Sequence, residues 1–151
     1  MGWLARLLGS AETRDILADL VEDYRAEAAQ AAHLRAQAER ARYPQMATAL
    51  RRLADTEDRH AGWLRDRVAS LGGHVPALEA PTLGGANQWQ RTVGALHDAQ
   101  AKRRRLVEQI AHWDPDEPEV VALLRRIEEE DAREFPVYEG IVMRSDPQAL
   151  D

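Results

Sequence analysis

The chain has 151 residues, which suits one domain with one continuous core, and it carries a formal net charge of -6 and no cysteine. The absence of cysteine excludes disulfides, thiolate metal sites and thiol catalysis, and the interleaving of acids with bases argues against nucleic-acid binding. Helix-forming residues dominate the composition and only 5% of the residues are aromatic, which predicts an all-α protein.

The first ten residues form a short amphipathic segment with Trp3, Leu4, Leu7 and Leu8 as its apolar residues. Such a segment can dock on a protein partner or a membrane surface, or cover the end of a helical bundle. No apolar run approaches the roughly 18 residues that a membrane span needs, and no cleavable leader is evident. We therefore expect a cytoplasmic protein without a membrane span.

Two helices are predicted in the first half of the chain. Apolar residues spaced by three and four predict a helix over about 12–42, which ends because the residue before Pro44 is pushed out of the helical region. Pro44 favours the first turn of a second helix over about 44–71. Gly72 and Gly73 then supply a left-handed stop.

The second half repeats this plan after a long connection. Residues 72–86 are rich in proline and glycine and indicate a crossover between helices. Asn87 is the predicted N-cap of a third helix that reaches Trp113. After a proline-rich break, Pro118 begins a fourth helix that extends to Ile141 or beyond.

Four long amphipathic helices can bury their apolar faces only against one another, which predicts an antiparallel four-helix bundle. The bundle forms a single domain over residues 1–151, with its longest connection between the second and third helices. Because that connection is long, the second hairpin can dock in either sense. The crossed, ferritin-like topology and the simple up-and-down topology both remain open at this point.

Several acidic side chains lie in phase with the predicted core. Glu27 faces inward on the first helix, Glu57 and His60 on the second, and Asp131 and Glu134 on the fourth. Burying several carboxylates together is costly unless protons, basic partners or a metal ion hold them. Glu-x-x-His places a carboxylate and an imidazole on one helix face, as a metal site requires.

These residues resemble the ferritin-like and rubrerythrin-like di-iron carboxylate family, whose bundles carry Glu, Glu-x-x-His, Glu and Glu-x-x-His on successive helices. The stretch Leu53-Ala-Asp-Thr-Glu57-Asp-Arg-His60 looks most like the second helix of that family. The resemblance implies one or two ions of iron or manganese, held by Glu27, Glu57, His60, Asp131 and Glu134. It also implies oxidation of ferrous iron by dioxygen or peroxide, and a homodimer to whose interface Trp63 and Trp89, both expected to be exposed, could contribute.

The fourth helix departs from the family pattern. Residues 53–60 align weakly with residues 127–134, so Asp131 replaces the family's glutamate and Glu134 replaces its histidine. Pro136 follows closely and predicts a kink beside the site.

The third helix departs further, because Ala101, flanked by Gln100, stands where the family has a carboxylate. Arg103 lies near the apolar seam and is predicted to pair with Asp131 or Glu134. Two hypotheses follow: a metal-binding protein with possible oxidoreductase activity, or a bundle without metal that acts as a structural or partner-binding module.

Overall fold

The computed structural model describes the backbone of residues 2–149 and the side chains of residues 16–149. It contains four helices, α1 (Gly2–Arg40), α2 (Pro44–Ser70), α3 (Gln88–Trp113) and α4 (Pro118–Arg144). Within the described residues there is no β-strand, which confirms the all-α prediction. None of the helices described combines the length and the hydropathy that a membrane span requires.

The helix ends follow the predicted signals. Pro44 lies in the first turn of α2, and Gly72 adopts a left-handed φ of 83° just beyond its end. At the start of α3, the Asn87 side-chain oxygen accepts a hydrogen bond from the Gln90 backbone N–H at 2.9 Å. These ends are fixed by local chemistry, so they were predictable from neighbouring residues.

The first helix is longer than predicted, because no proline interrupts the chain between residues 2 and 40. The amphipathic segment therefore continues α1 instead of preceding it. Its side chains, including Trp3 and Leu4, lie outside the described residues, and its docking on a partner stays a prediction. Helix α4 also runs unbroken through Pro136.

Contacts between α1 and α3 establish the topology that the sequence left open. Asp19 accepts a hydrogen bond from Trp113, and Gln30 donates one to the Ala95 carbonyl, so the two helices run antiparallel. Since α2 is antiparallel to α1, and α4 to α3, the order is up, down, down, up. The connection over residues 71–87 consequently travels the length of the bundle, as in ferritin-like folds.

The core consists of two apolar clusters separated by a polar layer. Towards the start of α1 lies the first cluster, with Leu20, Leu64, Leu106, Leu124 and Ile127 among its fully buried members. Towards the end of α1 lies the second, with Leu34, Leu50, Leu53, Ala54 and Tyr138. On every helix the polar layer falls between these clusters, which keeps its charged groups away from water.

Candidate metal centre

Four of the five predicted ligands meet in the polar layer. Glu27 on α1, Glu57 and His60 on α2, and Asp131 on α4 each offer one ligand atom, and these atoms all lie within 4.8 Å of one another. All four side chains are buried. The helical spacing thus placed these residues correctly, because each belongs to the apolar seam of its helix.

Glu134 lies outside this group. Its carboxylate is only half-buried, and its Oε1 accepts a hydrogen bond of 3.2 Å from the Thr56 hydroxyl. Burial raises the pKa of this carboxyl above its ordinary value, while the Thr56 hydrogen bond acts in the opposite direction. Ligation by Glu134 stays a prediction.

A lysine from α3 lies within the cluster and was missed by the sequence reasoning. The Lys102 ammonium donates to Glu27 at 2.8 Å and to Glu57, and it lies 3.5 Å from Asp131 Oδ2. The side chain is only 4% exposed. The third helix therefore contributes a buried cation at the level where the family resemblance implies a carboxylate.

The predicted role of Arg103 is wrong, since this side chain points outward and its Nε donates to Glu128 at 2.8 Å. One residue turns an α-helix by about 100°, so a shift of one position exchanges the buried for the exposed face. Trp113, Gln109, Leu106 and Lys102 are spaced by four, three and four, and all are buried. Reading the spacing backwards from Trp113 would have identified Lys102.

His60 is held between the cluster and a second acidic residue. Its Nε2 lies 2.7 Å from Glu130 Oε2, which also accepts a hydrogen bond of 2.9 Å from Arg59. Its Nδ1 faces inward, 3.2 Å from Asp131 Oδ1 and 3.7 Å from Glu27 Oε2. When Nε2–H donates to Glu130, the Nδ1 lone pair is directed at the cluster, as metal ligation requires.

Trp63 covers His60 on the outer side. The two rings are 5.3 Å apart between centroids, and the Arg126 guanidinium lies 4.0 Å from the centroid of the Trp63 ring. Trp63 is thus partly covered within its own chain, although it was expected to be exposed. The homodimer to which it was assigned stays a prediction.

The environment that Glu27 and Glu57 share shifts their pKa values in opposite directions. Burial alone would raise the pKa of Glu27, but the Lys102 charge and hydrogen bonds from its neighbours lower it to about 2. The pKa of Glu57 is raised well above its ordinary value, first by burial and then by the Glu27 charge. One carboxylate therefore remains ionised beside Lys102 while the other favours its proton.

His60 and Lys102 stay positively charged within the cluster. Burial by itself would lower the pKa of both groups, but the surrounding carboxylates raise that of His60 to about 9 and that of Lys102 well above its usual range. Burial also raises the pKa of Asp131. Without a metal, the cluster is thus a network of buried acids balanced by one ammonium and one imidazolium.

The donor set also fits a metal ion. Glu27 Oε1, His60 Nδ1 and both oxygens of Asp131 are buried and make no hydrogen bond within the described residues. The four candidate ligand atoms lie within 4.8 Å of one another, so small side-chain movements would let them converge on one ion. Carboxylates with one imidazole and no thiolate suit manganese or iron.

Comparisons with known proteins agree with this architecture. Residues 19–87 match the family model for rubrerythrin. The bacterioferritin-related protein from Bacteroides fragilis, described as a dodecameric thioferritin, has a similar structure, with a TM-score of 0.74 and 14% sequence identity over 87% of this chain and 86% of that chain. No curated protein matches the sequence. The chain therefore has a ferritin-like fold, and its residues 19–87 are similar to rubrerythrin, as the motif on α2 predicted.

Proposed function

We propose that this protein binds one divalent metal ion, iron or manganese, through Glu27, Glu57, His60 and Asp131. The observation that carries the proposal is the convergence of these four buried ligand atoms within 4.8 Å. Several of these buried oxygen and nitrogen atoms make no hydrogen bond within the described residues, which is costly, and a metal ion would satisfy them together. The rubrerythrin match over residues 19–87 supports iron as one of the two metals.

Charge balance supports one ion rather than two. With an ion bound, the three carboxyls would all be ionised and supply three negative charges, and the Lys102 ammonium would offset one of them. One divalent cation neutralises the remainder, whereas a second would leave two uncompensated positive charges in a buried site. In this respect, Lys102 takes the place of a second metal ion.

Bound iron would supply one-electron chemistry with dioxygen or peroxide. Each ferrous ion gives one electron, so the reduction of one hydrogen peroxide molecule to two water molecules consumes two ferrous ions and two protons. The residues of this chain hold the ion away from bulk water, and Glu130 keeps the His60 ring oriented towards it. We assign the protein to metal binding with peroxide- or dioxygen-dependent iron oxidation.

Elemental analysis after anaerobic refilling with ferrous iron tests the proposal. We expect one ion per chain in the wild-type protein and none in Glu57→Gln or His60→Ala. Asp58→Asn is the matched control, because Asp58 neighbours Glu57 but is exposed and pairs with Arg35. Two ions per chain would contradict the single-ion site, and an empty wild-type protein would overturn the proposal.

A second candidate is a bundle without metal that acts through a partner. It is favoured by the hydrogen bonds that Lys102 already makes to Glu27 and Glu57, since these neutralise the core acids without an ion. In that case, Glu57→Gln would alter the free energy of unfolding and leave the metal content at zero throughout. Far-UV circular dichroism during urea unfolding would record the change.

A further inference from the structure

The metal-ligand cluster is sealed from solvent. The side chains of Glu27, Glu57, His60, Asp131 and Lys102 are at most 4% exposed. An ion can therefore reach the cluster only if a side chain moves. The faces of the bundle differ in how readily they could allow such movement.

On the α2–α4 face, several interactions close the way to His60. Glu130 accepts hydrogen bonds from both His60 and Arg59, and its Oε2 lies 2.7 Å from the imidazole Nε2. Trp63 stacks against His60 and is flanked by the guanidinium groups of Arg59 and Arg126. Access from this side would require several interactions to break together.

On the α1–α3 face lies a cavity of about 240 Å³, large enough for several water molecules. Its wall includes Ala26, Ala29 and Ala101, whose small side chains leave this space between the helices, and Asp98, which adds a negative charge. The Lys102 side chain is also part of the wall. Lys102 is thus common to the cavity and the cluster.

We propose that this cavity is the route by which the metal ion reaches the cluster, and that Lys102 is the side chain that moves to admit it. This inference rests on the proposed function. An arriving cation displaces the ammonium from the Glu27 and Glu57 oxygens that it takes, and the flexible lysine stem lets the ammonium move aside while staying within the polar layer. Gln30, also buried in the cavity wall, is held by hydrogen bonds to Ala95 O and Tyr138 Oη.

The charges along this route favour a cation. Asp98 in the cavity wall and Asp23, which pairs with Arg105, add to the three carboxyls of the cluster. Lys102 and Arg105 in the cavity wall and His60 in the cluster are basic side chains that face these acids, together with His33. Asp98 is exposed at the cavity, so it places a negative charge where a divalent cation would enter the α1–α3 face.

Manganese uptake tests the route. Free aqueous Mn²⁺ has a strong electron paramagnetic resonance signal that is lost on binding, so one probe reports both rate and equilibrium. We expect the Ala29→Leu/Ala101→Leu double variant to slow binding and release equally, by about tenfold or more, with Kd and stoichiometry unchanged. Equal slowing is expected because a blocked route raises one barrier that both directions share.

Ala122→Leu is the matched control, because Ala122 is an exposed alanine on α4 that does not contribute to the cavity wall. We expect wild-type rates from this variant. To test the moving side chain, Lys102→Met removes the ammonium and should accelerate uptake and lower Kd.

The outcomes distinguish a failure of the proposed access route from a failure of the proposed metal site. Wild-type rates in the double variant, with normal binding, would overturn the route and leave the proposed function intact. A changed Kd with no equal slowing would also overturn it, because the substitutions would then act on the site itself. No Mn²⁺ or Fe²⁺ binding by the wild-type protein would overturn both proposals.

Discussion

The first and third helices contribute opposite charges to one polar layer. The α1–α2 hairpin supplies Glu27, Glu57 and His60 in the order typical of the rubrerythrin-like family that it resembles, whereas in the second hairpin α3 supplies Lys102 and α4 supplies Asp131. The same division recurs one turn away, where Asp23 on α1 faces Arg105 on α3 at 3.2 Å. A ferritin-like bundle can therefore keep its fold while a fixed cation replaces part of its carboxylate set.

Giving α3 a carboxylate should have the largest effect. In Lys102→Glu, the layer loses its ammonium and gains an acid, so we expect the metal-free protein to lose about 3–5 kcal/mol of unfolding free energy. Metal content should rise from one ion per chain to two, because the added carboxylate offsets a second cation. Urea unfolding and elemental analysis would measure these changes, and a content still at one ion would contradict the charge argument.

The Asp23–Arg105 pair should control how stability depends on pH. Burial raises the pKa of Asp23 to about 7, despite the opposing effects of Arg105 and Gln109 on α3, and Asp19 on α1 raises it further. The unfolded chain has a value near 3.9. Between these pH values the folded state holds a proton that the unfolded chain has released. The stability that comes from the raised pKa is fully present below about pH 4 and is lost as the pH rises through about 7.

We expect Asp23→Asn to remove this loss of unfolding free energy, which amounts to about 4 kcal/mol between about pH 4 and 7. The amide oxygen can still accept the hydrogen bond from Arg105. Urea unfolding of both proteins at several pH values between 4 and 8 would measure the difference. A difference that stays constant with pH would show that Asp23 is ionised in the folded protein.

Removing the support for His60 should affect metal binding more than folding. In Glu130→Ala, the imidazole loses the acceptor that orients it, and we expect Kd for Mn²⁺ to rise by about 10–100-fold. Glu129→Ala is the control, because Glu129 is the exposed neighbour of Glu130 on α4. An unchanged Kd in Glu130→Ala would exclude His60 orientation as a determinant of affinity.

The smallest effect is expected from Arg103, which the sequence placed near the apolar seam as a partner for Asp131 or Glu134. Because Arg103 pairs with Glu128 at the surface, Arg103→Ala should cost less than about 1 kcal/mol and leave metal content unchanged. Thermal unfolding and elemental analysis would check this. A loss of several kcal/mol would instead indicate a buried ion pair.

Local signals in the sequence determined most of the fold. Pro44, Gly72 and Asn87 each set a helix boundary through their own backbone or side-chain chemistry. The inward positions of Glu57 and His60 followed from large apolar residues spaced by three and four on α2. Such signals depend on near neighbours in the chain, so they can be recognised without the structure.

The phase of α3 was less certain from the sequence, because Ala95 and Ala99, which mark its buried face, are small and give a weak apolar pattern. Whether Lys102 or its neighbour Arg103 faces the core therefore depended on rotating α3 about its axis by the angle of one residue. Both side chains are cationic, so that rotation decided which of them lies among the buried acids and not the sign of the charge there.

What the sequence determined by itself was the all-α class, three of the four helix starts, and the acids that face the core on α1, α2 and α4. Only the tertiary structure decided the crossed topology, the place of Lys102 among those acids and the link from Glu130 to His60. The physical reason is that helical periodicity specifies which residues face inward on each helix. It does not specify which residues of different helices meet, since that depends on how the hairpins dock.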